Sequence, residues 1–473
     1  MAEKWKEHRV AVFLLLLLLL LRLPYLGASP YEYDSWRQSD TEAMARNFVE
    51  NRFNPFYPQM HYEGPQPNYV QLELQITTFL IAILYKLFGF HYELARIVPV
   101  LFFTGSAVFV YLIARHYFAK PAAWIAIVLY GSLPLTLLYS RAIMPESAAL
   151  FFFTGCFYFF SRWIKEDRLW VLLLAAVFTA LAISQKVPTV FVGLPMIGMA
   201  VAKYKLRSLW SWKLWGFALL SLLPPYLYFV WLASISEYTF VSGIASKHVI
   251  PNFLHAFYTK GGLDFFRKEL PEAFTVWGIA LFAAGLASLH WRKHYPLGLW
   301  AIAMILEALT VVAVIKFNYY LIFLCPLVAL LGARFLHVLG KARIGMAASL
   351  VIASAACWAG LQTAIPSMHK QQAELIHQAA VVQQLTNIDD LIVVGTDDPS
   401  LLNASNRNGW RVTNTLPGKP IEELQTFKRQ GAKYFVPLKG FIYDDDGKVK
   451  AYLDAHFEKI EAEGGYSIYR LNP

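Results

Sequence analysis

The sequence predicts a polytopic α-helical membrane protein that carries a small extramembrane α/β domain at its C-terminal end. Three observations predict it. The 473 residues are 57% hydrophobic and 16% charged, whereas about a quarter of an ordinary soluble chain is charged. The apolar residues gather in runs close to the roughly 20 residues that cross a bilayer as a helix. After residue 365 the pattern changes to short β-rich runs alternating with amphipathic helical stretches.

Taken in order, apolar runs suited to spanning lie at 9–26, 94–114, 121–139, 146–162, 169–184, 187–203, 211–233, 273–290, 296–315, 319–337 and 343–361. The first resembles a signal peptide in its basic start and its "GAS" ending, but its length reads as a retained span. Another stretch, 70–88, is apolar only in its second half, because Gln71, Glu73 and Gln75 occupy the first. A charge held deep in lipid costs about 2.5–3.5 kcal/mol on insertion scales. Charge sidedness arbitrates. If 70–88 lies in the interface, "RHYFAK", "SRWIKEDR", "KYKLRSLWSWK", "HWRKH" and "RFLHVLGKAR" share a side with the N-terminal "EKWKEHR". The opposite short loops, near Arg141, Lys186 and Lys316, carry one cation each. The positive-inside bias therefore predicts eleven spans in an inner or plasma membrane, with the N-terminus cytoplasmic and the C-terminal domain outside. The same bias accounts for the formal charge of +10, so no nucleic-acid partner is expected.

The expected domains are residues 1–365, membrane-embedded, and 366–473, outside. In the second, "LIVVGTDDPS", "AKYFVPL" and "YSIYRL" read as strands, and "IEELQTFKRQG" and "VKAYLDAHFEKI" as helices. No Gly-rich phosphate loop follows the strand at 391–395, and "DDDG" at 444–447 lacks the remaining ligands of a calcium loop. Cys156, Cys325 and Cys357 lie in apolar runs, with neither metal-site nor disulfide spacing.

This topology collects polar residues on one external face: 27–93, "SRAIMPES", "SQKVP" and "KFNYY", with 234–272 joining them. Ser39 and Glu42 fit a capping box, so a helix is expected from residue 40. Asp40 and Glu42 then have a structural role at its N-terminus. Asp34 has none. Set between the interfacial anchors Tyr33 and Trp36, it is placed either to take a proton from an acceptor hydroxyl or to pair with Arg37. Glu146 follows a proline and either starts a helix or lines the cavity as a second acid. Glu73 is a lone acid on an apolar interfacial segment. Arg37, Arg141, Lys186 and Lys316 are the cations available to a phosphate leaving group. Arg141 and Lys316 equally suit snorkelling to the interface. Tyr319 and Tyr320 suit hydrogen bonding to a sugar or phosphate, or a place in the aromatic belt. Glu307 is the exception, an acid within a span.

Together these motifs resemble the GT-C membrane glycosyltransferases, nearest to the protein O-mannosyltransferase and aminoarabinose-transferase branch. "WRQSDTEAMARNF" is similar to the branch's WRQ-x-D-T pattern, and "GFHYELARIVPVLF", "MPE", "QKVP" and "NYYLIFLCPLVALLGA" follow in the same order. The resemblance implies transfer of a sugar from a polyprenyl-phosphate donor to a hydroxyl on a lipid, glycan or protein acceptor, with inversion in one displacement. It implies Asp34 as base or acceptor-binding acid, Glu146 as second cavity acid, and Glu73 on the interfacial helix. Arg37, Lys186 and Arg141 would face the carrier phosphate. The aminoarabinose branch places a lysine after the interfacial glutamate, whereas Leu74 stands here, which shifts phosphate contact to another cation. No cofactor or obligatory metal is implied, and no D-x-D motif is evident. The alternatives are a ligase using a polyprenyl diphosphate donor, a lipid or solute transporter, and a non-catalytic scaffold. A transporter would distribute ionisable groups along its helices; here they gather at one face.

Overall fold

The computed structural model describes residues 2–236, 238–253, 255–368, 370–412, 420–438 and 447–472. Asp444, Asp445 and Asp446 of the "DDDG" stretch lie outside the described residues. Helix occupies most of each expected span. Among the described residues, eight helices are long and apolar enough to cross a membrane: Tyr92–Tyr117, Glu146–Glu166, Val187–Trp210, Trp212–Ile235, Lys260–Ala287, Trp291–Ile315, Asn318–Leu339, and one starting at Arg343. The other three expected spans are shorter: Ala2–Leu20, Leu169–Gln185, and Lys120–Ser132, which continues past Leu133 as Pro134–Tyr139.

Packing follows from side-chain size. Trp300 stacks on Phe157 with ring centres 4.2 Å apart, and Phe109, Phe151, Phe152 and Phe178 interlock beside the small Gly155. Leu219, Leu350, Val351 and Trp358 instead stand exposed along their helices, as lipid-facing side chains do.

Two expectations for the polar face are corrected. The helix expected from residue 40 runs Ser35–Glu50, so Ser39 and Glu42 lie inside it and Asp34 is its N-cap residue. The segment 70–88 is helical only over Ile76–Phe88. Val70–Gln71 pairs in parallel with Tyr238–Thr239, and Glu73 precedes the helix. The polar side chains in this half explain why: Gln71 Oε1 accepts from the Ser242 amide at 3.0 Å, and Gln71 donates to the Phe229 carbonyl at 3.0 Å. These contacts replace the hydrogen bonds of a helical turn.

The C-terminal domain is a five-stranded sheet in the order Gly409–Arg411, Ile392–Val394, Tyr434–Val436, Ser467–Arg470, Glu458–Glu461. The first three are parallel; Ser467–Arg470 runs antiparallel to both of its neighbours, Tyr434–Val436 and Glu458–Glu461. Helix Pro420–Arg429 carries acids in its first turn and cations in its last, as the helix dipole favours. The second expected helix stops at His456, and "EKIE" forms a strand paired with Ser467–Arg470.

This domain is fastened to helix Ser35–Glu50 and the loop after it. Asn403 donates to Asp40 at 2.8 Å and to Ser39 at 3.0 Å, and Tyr62 donates to Asp40 at 3.0 Å. Arg411 pairs with Glu63 and lies 4.2 Å over the Tyr62 ring. The Gly64 amide bonds the Gly409 carbonyl at 2.8 Å. Only glycine fits at 409, because a Cβ there would meet the Ile392 carbonyl at 1.8 Å and φ is +155°.

Burial raises the Asp40 carboxyl to about 6 against the donors around it. Its folded value thus exceeds the ordinary 3.8. The stability it contributes is full below that ordinary value and is lost as pH rises through about 6. Asp40→Asn is expected to remove this gain on acidification. Thermal unfolding of the purified chain at pH 5 and 7.5 checks it, and an unchanged pH response in the variant contradicts it.

Candidate active site

Asp34 ends the turn after the first helix with φ +49° and ψ +40°. That left-handed conformation costs an L-residue on the order of 1 kcal/mol, is tolerated best by Asn and Asp, and gathers at functional sites. An aspartate in an N-cap position ordinarily accepts from the first-turn amides, but Asp34 makes no such bond. Its Oδ2 accepts from the Tyr139 hydroxyl instead. No described residue hydrogen-bonds Oδ1. Tyr139 also lies 2.8 Å from Asn318 Oδ1. Burial raises the Asp34 carboxyl above its ordinary range; the Tyr139 bond opposes the rise, and the Glu146 and Glu269 charges add to it.

The remaining polar pieces meet here. Lys186 Nζ pairs with Glu146 at 2.7 Å and lies 5.1 Å from the ring centres of both Tyr319 and Tyr320. Tyr319 packs edge-on to Tyr139 at 6.1 Å and lies within electrostatic reach of Glu146, Arg37 and Asp34. Arg37 pairs with Glu73 rather than Asp34. Tyr228 donates to the Glu73 carbonyl at 3.0 Å, and Gln185 donates to the Leu74 carbonyl. Residues from the 27–93 loop, "SRAIMPES", "SQKVP" and "KFNYY" thus form one constellation.

Arg141 stands apart. It is fully buried, bonds the Tyr25 carbonyl at 3.0 Å and lies 3.8 Å from Glu32. The expectation that it snorkels is corrected, because the side chain is buried with Glu32 and the Tyr25 carbonyl beside its charge. Arg96 pairs with Glu32 at 2.9 Å and bonds the carbonyls of Ala28, Ser29 and Arg141. This trio braces the turn bearing Asp34. Lys316 is exposed, has φ +57°, and forms no ion pair among the described residues. Beside it opens a cavity of about 490 Å³, lined by His248, Asn252, His255, Thr259 and Phe317, among others. Phe317 stacks on Tyr319 at 5.3 Å, which joins this cavity to the constellation.

Sequence reasoning missed Tyr139, Asn318, Glu269, Glu32 and Arg96. Glu307 is buried beside the π-helical turn Ala308–Val312, with neither oxygen hydrogen-bonded among the described residues. Among the described residues, no three His, Cys, Asp or Glu side chains are grouped to hold a metal ion.

The architecture has known counterparts. ArnT from Cupriavidus metallidurans, solved bound to undecaprenyl phosphate, superposes with a TM-score of 0.66 at 12% identity, covering 100% of this chain and 99% of that one. The chain has a GT-C fold. The archaeal oligosaccharyltransferase AglB from Archaeoglobus fulgidus, solved with an inhibitory peptide and a dolichol-phosphate, gives a TM-score of 0.63 at 14% identity over 99% of this chain and 74% of that one. The mycobacterial arabinofuranosyltransferase AftD gives 0.61 at 15% identity over 98% and 40%. Residues 76–231 match the dolichyl-phosphate-mannose-protein mannosyltransferase family. No curated protein sequence matches the chain. In this GT-C chain the segment matched by the family runs from helix Ile76–Phe88 to Trp231. It includes Tyr139, Glu146 and Lys186, while Asp34 and Tyr319 lie on either side of it.

Proposed function

We propose that this GT-C protein transfers a sugar from a polyprenyl-phosphate donor to an acceptor hydroxyl on the external face of the membrane, with inversion. The observation that carries the reading is Asp34: a carboxylate gripped on one oxygen by Tyr139, with no hydrogen bond to the other among the described residues. In the reaction the acceptor oxygen attacks the anomeric carbon as its proton passes to Asp34 Oδ1. The bond from that carbon to the carrier phosphate breaks, and the phosphate leaves with the electron pair. Attack from the face opposite the phosphate inverts the centre. Burial raises the Asp34 pKa above its ordinary range, which makes the carboxylate a stronger base. Glu146 is tied to Lys186 and serves as the second acid of the cavity, shaping the acceptor side. Tyr319 and Tyr320 offer hydroxyls to the sugar.

Leu74 leaves the phosphate without the lysine that the resemblance would supply. Arg37 and Lys186 are committed to Glu73 and Glu146, which favours Lys316 as the principal phosphate contact. Lys316→Ala is expected to raise the donor KM about tenfold with little change in kcat, the loss of roughly one charge-assisted hydrogen bond. An unchanged KM counts against this role.

The reading as a whole is tested by incubating purified protein with a panel of polyprenyl-phosphate and polyprenyl-diphosphate sugars and measuring the carrier released. Release from a monophosphate donor, with an inverted anomeric centre in the product, is expected. Release from diphosphate donors alone, or from none of the panel, overturns it.

A further inference from the structure

The Tyr139 hydroxyl sits between two oxygens, Asp34 Oδ2 and Asn318 Oδ1, and has a single proton to give. Both bonds cannot be donated at once. The oxygen and nitrogen of an asparagine amide are interchangeable in position, so two arrangements satisfy the three groups. In one, the Asn318 amide donates to the Tyr139 oxygen and Tyr139 donates to an ionised Asp34. In the other, a protonated Asp34 donates to Tyr139, and Tyr139 donates to the Asn318 carbonyl oxygen.

We propose that Asn318 and Tyr139 form a directed relay of the first kind, which commits the Tyr139 proton to Asp34 Oδ2 and reserves Oδ1 for the acceptor's proton. Tyr139 and Asn318 are then positioning residues; no proton passes through them. The inference rests on Asp34 being the base and adds what sets its ionisation and its direction. Three features support it. Asp34 gives up the first-turn amides that an N-cap aspartate would ordinarily use, so Tyr139 is its one hydrogen-bond donor among the described residues. Tyr139 is fully buried, where a hydroxyl aimed at a carboxylate is worth more than in water. Tyr139 precedes "SRAIMPES" and Asn318 belongs to "KFNYY", so the relay ties two separate chain segments to the catalytic turn. The charged and titratable groups acting on Asp34 are Glu146, neutralised by Lys186, and Glu269, with Lys268 at 3.0 Å. Tyr33 flanks it and donates to the Leu138 carbonyl at 2.6 Å. None of these supplies a donor to Asp34.

The test needs no substrate. The full-length purified chain is titrated by infrared difference spectroscopy, and the carboxyl band missing in Asp34→Asn is assigned to Asp34. Tyr139→Phe is expected to move the Asp34 midpoint upward by about one pH unit, since the ionised form loses its donor. Asn318→Asp is expected to move it further, because a second carboxylate then competes for the one hydroxyl proton. A downward shift in Tyr139→Phe establishes the reverse arrangement, and no shift removes the relay; either overturns the proposal. Unchanged thermal unfolding of both variants separates these outcomes from misfolding. Activity distinguishes the two layers of the reading. If Asp34→Asn turns over like wild type, the assignment of the base is wrong. If Asp34→Asn is inactive while Tyr139→Phe leaves the midpoint in place, only the relay is wrong.

Discussion

Asp34→Asn is expected to lower sugar transfer by about 10³-fold, within the range that a positioned general base contributes, and to leave donor binding close to wild type. The substitution keeps the shape of the side chain and its capacity to accept from Tyr139, while removing the charge and the affinity for a proton. Because Asp34 lies at a left-handed position that asparagine also tolerates, the turn keeps its conformation. Single-turnover measurement of carrier release, with wild type and variant matched for thermal unfolding, gives the result. Equal rates would remove Asp34 from the chemistry. In the wild type, transfer is expected to fall as pH drops through the Asp34 pKa, since in the proposed reaction only the ionised form takes a proton. Burial raises that pKa, so the acid limb sits above the range of a solvent-exposed aspartate.

Glu32→Ala is the second large effect, and it acts on stability. Glu32 lies between Arg96 at 2.9 Å and Arg141 at 3.8 Å, and all three side chains are buried. Gln371, from the segment after the last membrane helix, also donates to Glu32 at 3.1 Å. Removing one partner of a buried ion pair leaves charge without compensation and costs about 3–5 kcal/mol. Here one deletion strands two guanidinium groups. The variant is expected to lose most of its folded yield and to unfold at a markedly lower temperature in detergent. Glu32→Gln, which keeps hydrogen-bonding capacity but no charge, should fall between. A Glu32→Ala protein as stable as wild type would show that the carbonyls of Tyr25, Ala28 and Ser29 suffice to hold the two arginines.

The contrast between Glu32 and Asp34 shows where the sequence was legible. Hydropathy and the distribution of lysine and arginine located the helices and gathered the polar loops at one end of the bundle, because lipid imposes both patterns on the chain directly. That grouping led to Asp34, Glu146, Lys186 and the Tyr319–Tyr320 pair, which the structure brings together. It did not reveal which acid of "YEYD" turns inward. Glu32 and Asp34 stand two residues apart in the same kind of surroundings, and their fates depend on Arg96 and Tyr139, about 60 and 105 positions away. Arg141 misled for a related reason: an arginine near a span end is consistent with snorkelling until a buried carboxylate is found beside it. Ser39 and Glu42 form a valid capping pattern, but the C-terminal domain uses Ser39 and Asp40 as docking points, and the helix begins a turn earlier. Tyr139 carried no signal, since a tyrosine near a membrane boundary needs no further explanation.

The fastening of helix Ser35–Glu50 and the loop after it by Asn403, Arg411 and Gly409 bears on biosynthesis. The segment bearing Asp34 is made well before the residues that fasten this helix, which follow helix Arg343–Met368. During translation the bundle can assemble before its reaction centre takes a fixed shape. A chain interrupted before residue 400 would contain every described membrane helix and still lack Asn403, Gly409 and Arg411. Synthesis past residue 411 would therefore be needed before the helix that follows Asp34 is held in place.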